Sequence, residues 1–236
     1  MKILALVGSP RKGGNTDLLV DQVIAGAKHQ NDQVVVEKVF VSDLDLQFCR
    51  GDVSCRKTGE CIISDDMAEV LDKIKSVDAL VLGSPLYRGY LSGQMKVFMD
   101  RTHPLEKEVN MKAGKSMGVA MGFLARVIPT KLQMKMMQKM AGGMGHLYRL
   151  ERKNSVVVVT GAHPAYIPQM RRDLERTAQE LGSFSLMSGG EVVASVLAAG
   201  VSKKGDVLDR PDILKQAFEA GQQLASSCNG DGGEGV

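Results

Sequence analysis

The loop Gly8-Ser9-Pro10-Arg11-Lys12-Gly13-Gly14-Asn15-Thr16 carries the makings of an anion site. It follows an apolar pentad, Ile3 to Val7, and precedes Leu18, Leu19, Val23, Ile24 and Ala27 at helical spacing. The loop therefore lies at a helix N-terminus, where unpaired backbone N–H groups and the positive end of the helix dipole converge. Ser9, Asn15 and Thr16 add short donors, and Arg11 and Lys12 add charge, so the spacing predicts a bound phosphate. Two better-known phosphate loops are excluded by spelling. Gly8 is followed at the Walker distance by Gly13-Gly14-Asn15 and not by Gly-Lys-Ser/Thr, and Pro10 breaks the dinucleotide fingerprint.

A second group of reactive residues is Cys49, Cys55 and Cys61, with Asp52 among them; Cys228 sits far away near a Gly-rich end. Such clustering suggests redox or metal chemistry more than a secreted disulfide framework. Two further loops hold small and polar residues, Gly83-Ser84-Pro85-Leu86-Tyr87-Arg88-Gly89-Tyr90 and Thr160-Gly161-Ala162-His163-Pro164.

The elements that must position these residues alternate. Strands are expected over Ile3–Val7, Val34–Phe40, Ala79–Leu82, Val156–Val159 and about Val192–Leu197. Helices are expected from Asp17, over Asp65–Lys75, over Ser92–Arg101, up to about Leu181, and over Pro211–Ala225. Alternation of this kind implies an α/β fold, a parallel sheet covered on both faces, with the loops after strands one, three and four forming a crevice at the strand carboxyl ends. A single domain is expected over residues 1–228, with a disordered tail over Asn229–Val236.

The segment from about Leu105 to Lys153 is surplus to the alternation and is unusually rich in methionine. A helix over Thr130–Met140 would put Leu132, Met136, Met137 and Met140 on one side, suited to core or subunit-interface packing. A lid, a membrane-surface helix, and a strand over Met117–Met121 are the alternatives. The 236 residues are 44% hydrophobic and 24% charged with a net charge of +3, which disfavours nucleic acid as a partner. No apolar run approaches the ~20 residues of a membrane span, and a cytoplasmic location is expected.

These motifs, in their order and spacing, resemble a known family. Gly8-Ser9-Pro10-Arg11 with Gly14-Asn15-Thr16, the cysteine segment ending at Asp65-Asp66-Met67, Gly83-Ser84-Pro85-Leu86-Tyr87, and Gly93-Gln94-Met95-Lys96 with Asp100-Arg101 are similar to the flavodoxin-like NAD(P)H-dependent FMN reductases, especially their iron-sulfur flavoprotein branch. The resemblance implies a flavodoxin-like doubly wound five-stranded parallel sheet, here with a Met-rich helical insertion before the fourth strand. It also implies FMN in the crevice. Ser9, Arg11, Gly14, Asn15 and Thr16 would hold the phosphate, and Pro85, Leu86, Tyr87 and Arg88 would border the isoalloxazine, with Gly161 and Ala162 as a third wall. No acid or base is assigned, because a flavin accepts hydride at its own ring.

The function so implied is an FMN-dependent oxidoreductase that takes hydride from NAD(P)H and passes electrons to a quinone, another small molecule or a protein. The alternative is an electron-transfer flavoprotein without its own nicotinamide site. A homodimer or homotetramer is expected. The branch's cluster motif has cysteines at the positions of 49, 52, 55 and 61, and here the second is Asp52. An iron-sulfur cluster, zinc, and thiols without metal all stay open, and no residue is assigned as a metal ligand.

Overall fold

A computed structural model describes residues 1–107 and 149–229 of the chain. Residues 108–148 of the methionine-rich segment, including its expected helix over Thr130–Met140 and the strand alternative over Met117–Met121, lie outside the described residues, as does the tail beyond Asn229.

Five strands form one parallel sheet: β1 (Lys2–Val7), β2 (Val35–Phe40), β3 (Ala79–Pro85), β4 (Asn154–Gly161) and β5 (Val192–Ala199), in the spatial order β2-β1-β3-β4-β5. That is the flavodoxin-like order, with its switch point between β1 and β3. The connecting helices are α1 (Asn15–Gln30), the short α2 (Cys55–Thr58), α3 (Met67–Ser76), α4 (Gly93–Asp100), α5 (Pro168–Met187) and α6 (Pro211–Asn229).

Successive side chains of a strand point to opposite faces, so each central strand feeds two cores. Ile3, Ala5 and Val7 join Val81, Val156 and Val158 on the face covered by α1 and α6. Leu4 and Leu6 join Leu80, Leu82, Val157 and Val159 on the face covered by α3, α4 and α5. Burial on both faces is why these strands read as unbroken apolar runs. The edge strand β2 is half exposed.

Helices α1 and α6 approach until their backbones touch. A Cβ on Gly26 would lie 1.9 Å from the carbonyl oxygen of Phe218, and one on Gly221 would lie 1.9 Å from that of Val23. Glycine at both positions is what allows the contact.

Several boundaries differ from the sequence expectation for local reasons. Helix α1 starts at Asn15, not Asp17, because the Asp17 carboxylate folds back to accept the Gly13 N–H at 2.6 Å. Strand β3 runs through Gly83 and Ser84 to Pro85, since pairing with β4 continues to Thr160. Proline is tolerated there because β1 has already ended opposite Gly83. Helix α5 continues past Leu181 because Phe184 and Ser185 still face the core.

Candidate functional site

The loops after β1, β3, β4 and β5 meet at the strand carboxyl ends in one open cleft. Its lining joins Ser9, Arg11, Gly14, Asn15 and Thr16 from the first loop to Pro85, Leu86 and Tyr87 from the second and Ala162 from the third. Two expected residues stand apart. Arg88, at φ 54°, occupies the tip of a tight turn closed by reciprocal bonds between Tyr87 and Tyr90 of 2.9 and 3.1 Å, outside the lining. Gly161 ends β4, where its carbonyl accepts the Val201 N–H at 3.0 Å, and it does not line the cleft either.

Sequence reasoning missed Thr160, Val201, Ser202 and Lys204, which complete the lining. Thr160 lay inside a loop already singled out. The others follow β5, and the rule that ligands bind at strand carboxyl ends covers that loop as well. The Gly200 and Gly205 punctuation around Lys203-Lys204 was the available signal.

The loop after β1 is held from several sides. The Gly8 N–H donates to the Gly83 carbonyl at 2.7 Å, and the Ser92 hydroxyl donates to the Gly8 carbonyl at 2.6 Å while capping α4 by accepting the Met95 N–H. The Ser9 hydroxyl accepts the Arg11 N–H at 3.2 Å. Asn15 was expected to offer its amide to an anion. Both ends of that amide are instead engaged by the last loop: Nδ2 donates to the Lys203 carbonyl at 2.8 Å and Oδ1 accepts the Val207 N–H at 3.2 Å. Asn15 offers the cleft its backbone N–H, as Thr16 does, since the first turn of a helix leaves these groups without an intrahelical acceptor.

The hydroxyls of Thr16 and Thr160 lie 2.7 Å apart, both side chains being buried. Two hydroxyls carry two protons, and one bond between them uses only one. Among the described residues neither hydroxyl has another partner, so a donor remains for whatever occupies the cleft. A buried donor without an acceptor is costly, and a phosphate oxygen would satisfy it.

Of the two cations in the first loop, Lys12 turns away: its Nζ lies 2.7 Å from Asp43 Oδ2 and 5.3 Å from the centre of the Phe40 ring. Asp17, which accepts from the loop's Gly13, is paired with Lys38 at 2.8 Å. Burial opposes the Lys38 charge, but the hydrogen bonds it donates to Asp17 and Asp21 outweigh it and hold the ammonium pKa above the ordinary lysine value. Arg11 stays at the cleft, its Nη1 donating to the Ser202 carbonyl at 3.3 Å.

The cysteine segment packs against the far end of α4. Arg101 is 1% exposed and bonds Asp65 through Nη1 at 2.6 Å and Nη2 at 2.9 Å, with Nη1 also reaching the Gln47 carbonyl and Nη2 the Cys61 sulfur at 3.6 Å. Burial pushes the Cys55 thiol up, and the neighbouring charges of Cys61 and Cys49 push it further. Asp52 is already in use: its Oδ1 accepts the Ser54 N–H at 3.1 Å and the Ser54 hydroxyl. The donor set is thus one thiolate short of four-cysteine ligation. Among the described residues no three His, Cys, Asp or Glu side chains stand close enough together to hold a metal ion.

Comparison with known proteins bears on both regions. The family model described as NADPH-dependent FMN reductase matches residues 1–147. An iron-sulfur flavoprotein of Methanocaldococcus jannaschii is 37% identical over 122 residues, which are 52% of this chain and 62% of the relative. An iron-sulfur flavoprotein of Archaeoglobus fulgidus is 36% identical over 112 residues, 48% of this chain and 50% of the relative. These matches therefore span between half and two thirds of the relatives' own length. Among solved structures, the FMN-dependent NADH-azoreductase of Bacillus anthracis superposes with a TM-score of 0.62 at 17% identity, covering 95% of this chain and all of that one, a likeness of fold.

Proposed function

This chain belongs to the NADPH-dependent FMN reductase family, and on that footing we propose that the cleft binds FMN and that the protein is an oxidoreductase taking hydride from NAD(P)H. Its electrons would pass to a quinone, another small molecule or a protein. The observation that carries the reading is the composition of one cleft: Arg11, the N–H groups that open α1 and the spare proton of the Thr16–Thr160 pair suit a phosphate, while Pro85, Leu86, Tyr87 and Ala162 suit a flat ring. FMN, when bound, supplies the hydride acceptor, so the protein's task is to bind it, orient it and shape its access.

Each wall has a defined part in that task. The loop at Pro85 is fixed by the Leu86 N–H, which donates to the Thr160 carbonyl at 2.7 Å. The turn beyond Tyr87 is braced by α5, whose Arg176 guanidinium lies 4.5 Å from the Tyr90 ring centre and donates to the Gly89 carbonyl. Tyr87 itself is 37% exposed, free to lie against a ring on one side and a second substrate on the other.

Protein purified without added flavin should show flavin absorption that bleaches promptly when NAD(P)H is added without oxygen. Reduction only by dithionite or by a donor protein would favour the carrier reading, to which the iron-sulfur flavoprotein relatives lend weight. Arg11→Ala should weaken FMN binding by roughly tenfold or more, the scale of a charge-assisted contact to phosphate, and leave riboflavin binding nearly unchanged. Equal FMN affinity in the variant would remove the phosphate assignment. None of the described helices is long and apolar enough to cross a membrane. A homodimer or homotetramer in which a neighbour covers the open cleft completes the reading, with sedimentation at the monomer mass as the contrary result.

A further inference from the structure

We infer that Lys204, carried on the loop after β5, is the second cation of the phosphate site, replacing the sequence-adjacent Lys12, and that Asn15 positions it. The inference rests on the FMN reading above and names a contact that this reading does not require.

A phosphomonoester carries between one and two negative charges near neutral pH, its second pKa being about 6. Arg11 supplies one compensating charge, and Lys12 is committed to Asp43 and Phe40. Lys204 lines the same cleft as Ser9, Arg11 and Thr16, and among the described residues it makes no ion pair. It also comes close to the phosphate loop: a Cβ on Gly13 would lie 2.9 Å from Lys204 Cε and 3.1 Å from Nζ. Gly13 has φ +69°, so glycine there serves both the left-handed turn and the passage of the lysine.

The loop bearing Lys204 is fastened on each side of it. Asn15 takes the Lys203 carbonyl and the Val207 N–H, and Arg11 takes the Ser202 carbonyl. Asp206 Oδ2 accepts the N–H groups of Ser202 and Lys203 at 2.8 and 2.7 Å, closing the turn on itself. A flexible ammonium on a fixed backbone suits an anion that lacks one preferred direction of approach.

The test is titration of the flavin-free protein with FMN and with riboflavin, which differ by the phosphate. Lys204→Gln should weaken FMN binding about tenfold, reduce its salt dependence and leave riboflavin unchanged. Lys12→Gln should leave both ligands within about twofold, as for an exposed ion pair remote from the ligand. Asn15→Ala should weaken FMN, and adding Lys204→Gln to it should cost less than the single change does, the coupling expected if one residue acts through the other. FMN affinity unchanged in Lys204→Gln but lost in Arg11→Ala would overturn the role of Lys204 and spare the FMN reading. Equal loss of riboflavin would also overturn it. Wild-type protein that binds no FMN would remove both.

Discussion

Asp65→Asn should lower the free energy of unfolding by about 3–5 kcal/mol, the range found when one partner of a buried ion pair is removed. The Arg101 guanidinium and the Asp65 carboxylate are 1% and 0% exposed, so the charge left behind has no water to receive it. The loss should spread to the cysteine segment, because Arg101 also holds the Gln47 carbonyl and faces Cys61. Urea unfolding of the wild type and variant would measure it, and a change under 1 kcal/mol would mean that the pair is not dry. Arg101→Met with Asp65→Leu should recover most of the loss, since apolar groups of similar volume often replace a buried pair at little cost.

The same pair gives a pH dependence with a definite sign. Burial would by itself raise the Asp65 pKa, but the Arg101 hydrogen bond and the N–H groups of Gln47 and Met67 overcome it and hold the carboxyl below the usual aspartate value. A carboxylate so held stabilises the fold fully above its unfolded pKa of about 3.9 and ceases to do so as pH falls through the lower folded value. Wild type and Asp65→Asn should therefore draw together only in that acid range, and their separation should stay constant through neutral pH.

Gly26→Ala should destabilise the protein by about 3 kcal/mol or more, the cost of forcing backbones apart in a packed contact. The sign is informative, because glycine to alanine inside a helix ordinarily stabilises by up to about 1 kcal/mol. Here the added methyl meets the Phe218 carbonyl at 1.9 Å, and Gly221→Ala meets the Val23 carbonyl at the same distance. Neither obstacle is a side chain that can rotate away. Thermal unfolding of each variant reads the effect directly, and a Tm at or above that of the wild type would show that α1 and α6 have room to separate.

The sheet and its partners were legible because the signal is local. Ile3–Val7 and Val156–Val159 announce buried strands by composition, and Met67, Val70, Leu71 and Ile74 announce a helix face by period. Most of the first cleft wall was legible for the same reason, its residues being neighbours in the chain. What escaped was pairing at a distance. Nothing in Lys12 shows that Asp43 will draw it off, and nothing in Asn15 shows that its amide will be spent on residues 203 and 207. Arg88 stands outside the lining because two positive φ angles, at Arg88 and Gly89, fold the loop into a tight turn that composition alone does not show.

The Asn15 tether joins residues 188 positions apart, and Thr16 meets Thr160 across 144. On a chain made from its amino terminus, the first wall of the cleft is made well before its closing wall, with β3, β4 and β5 between them. The anion loop must therefore wait, half built, through synthesis of β3, β4 and β5 before its own hydrogen bonds can be completed. A cleft closed by contacts of such long sequence separation takes shape only once the loop after β5 has docked, so its formation should lag that of the β1–α1 unit in refolding.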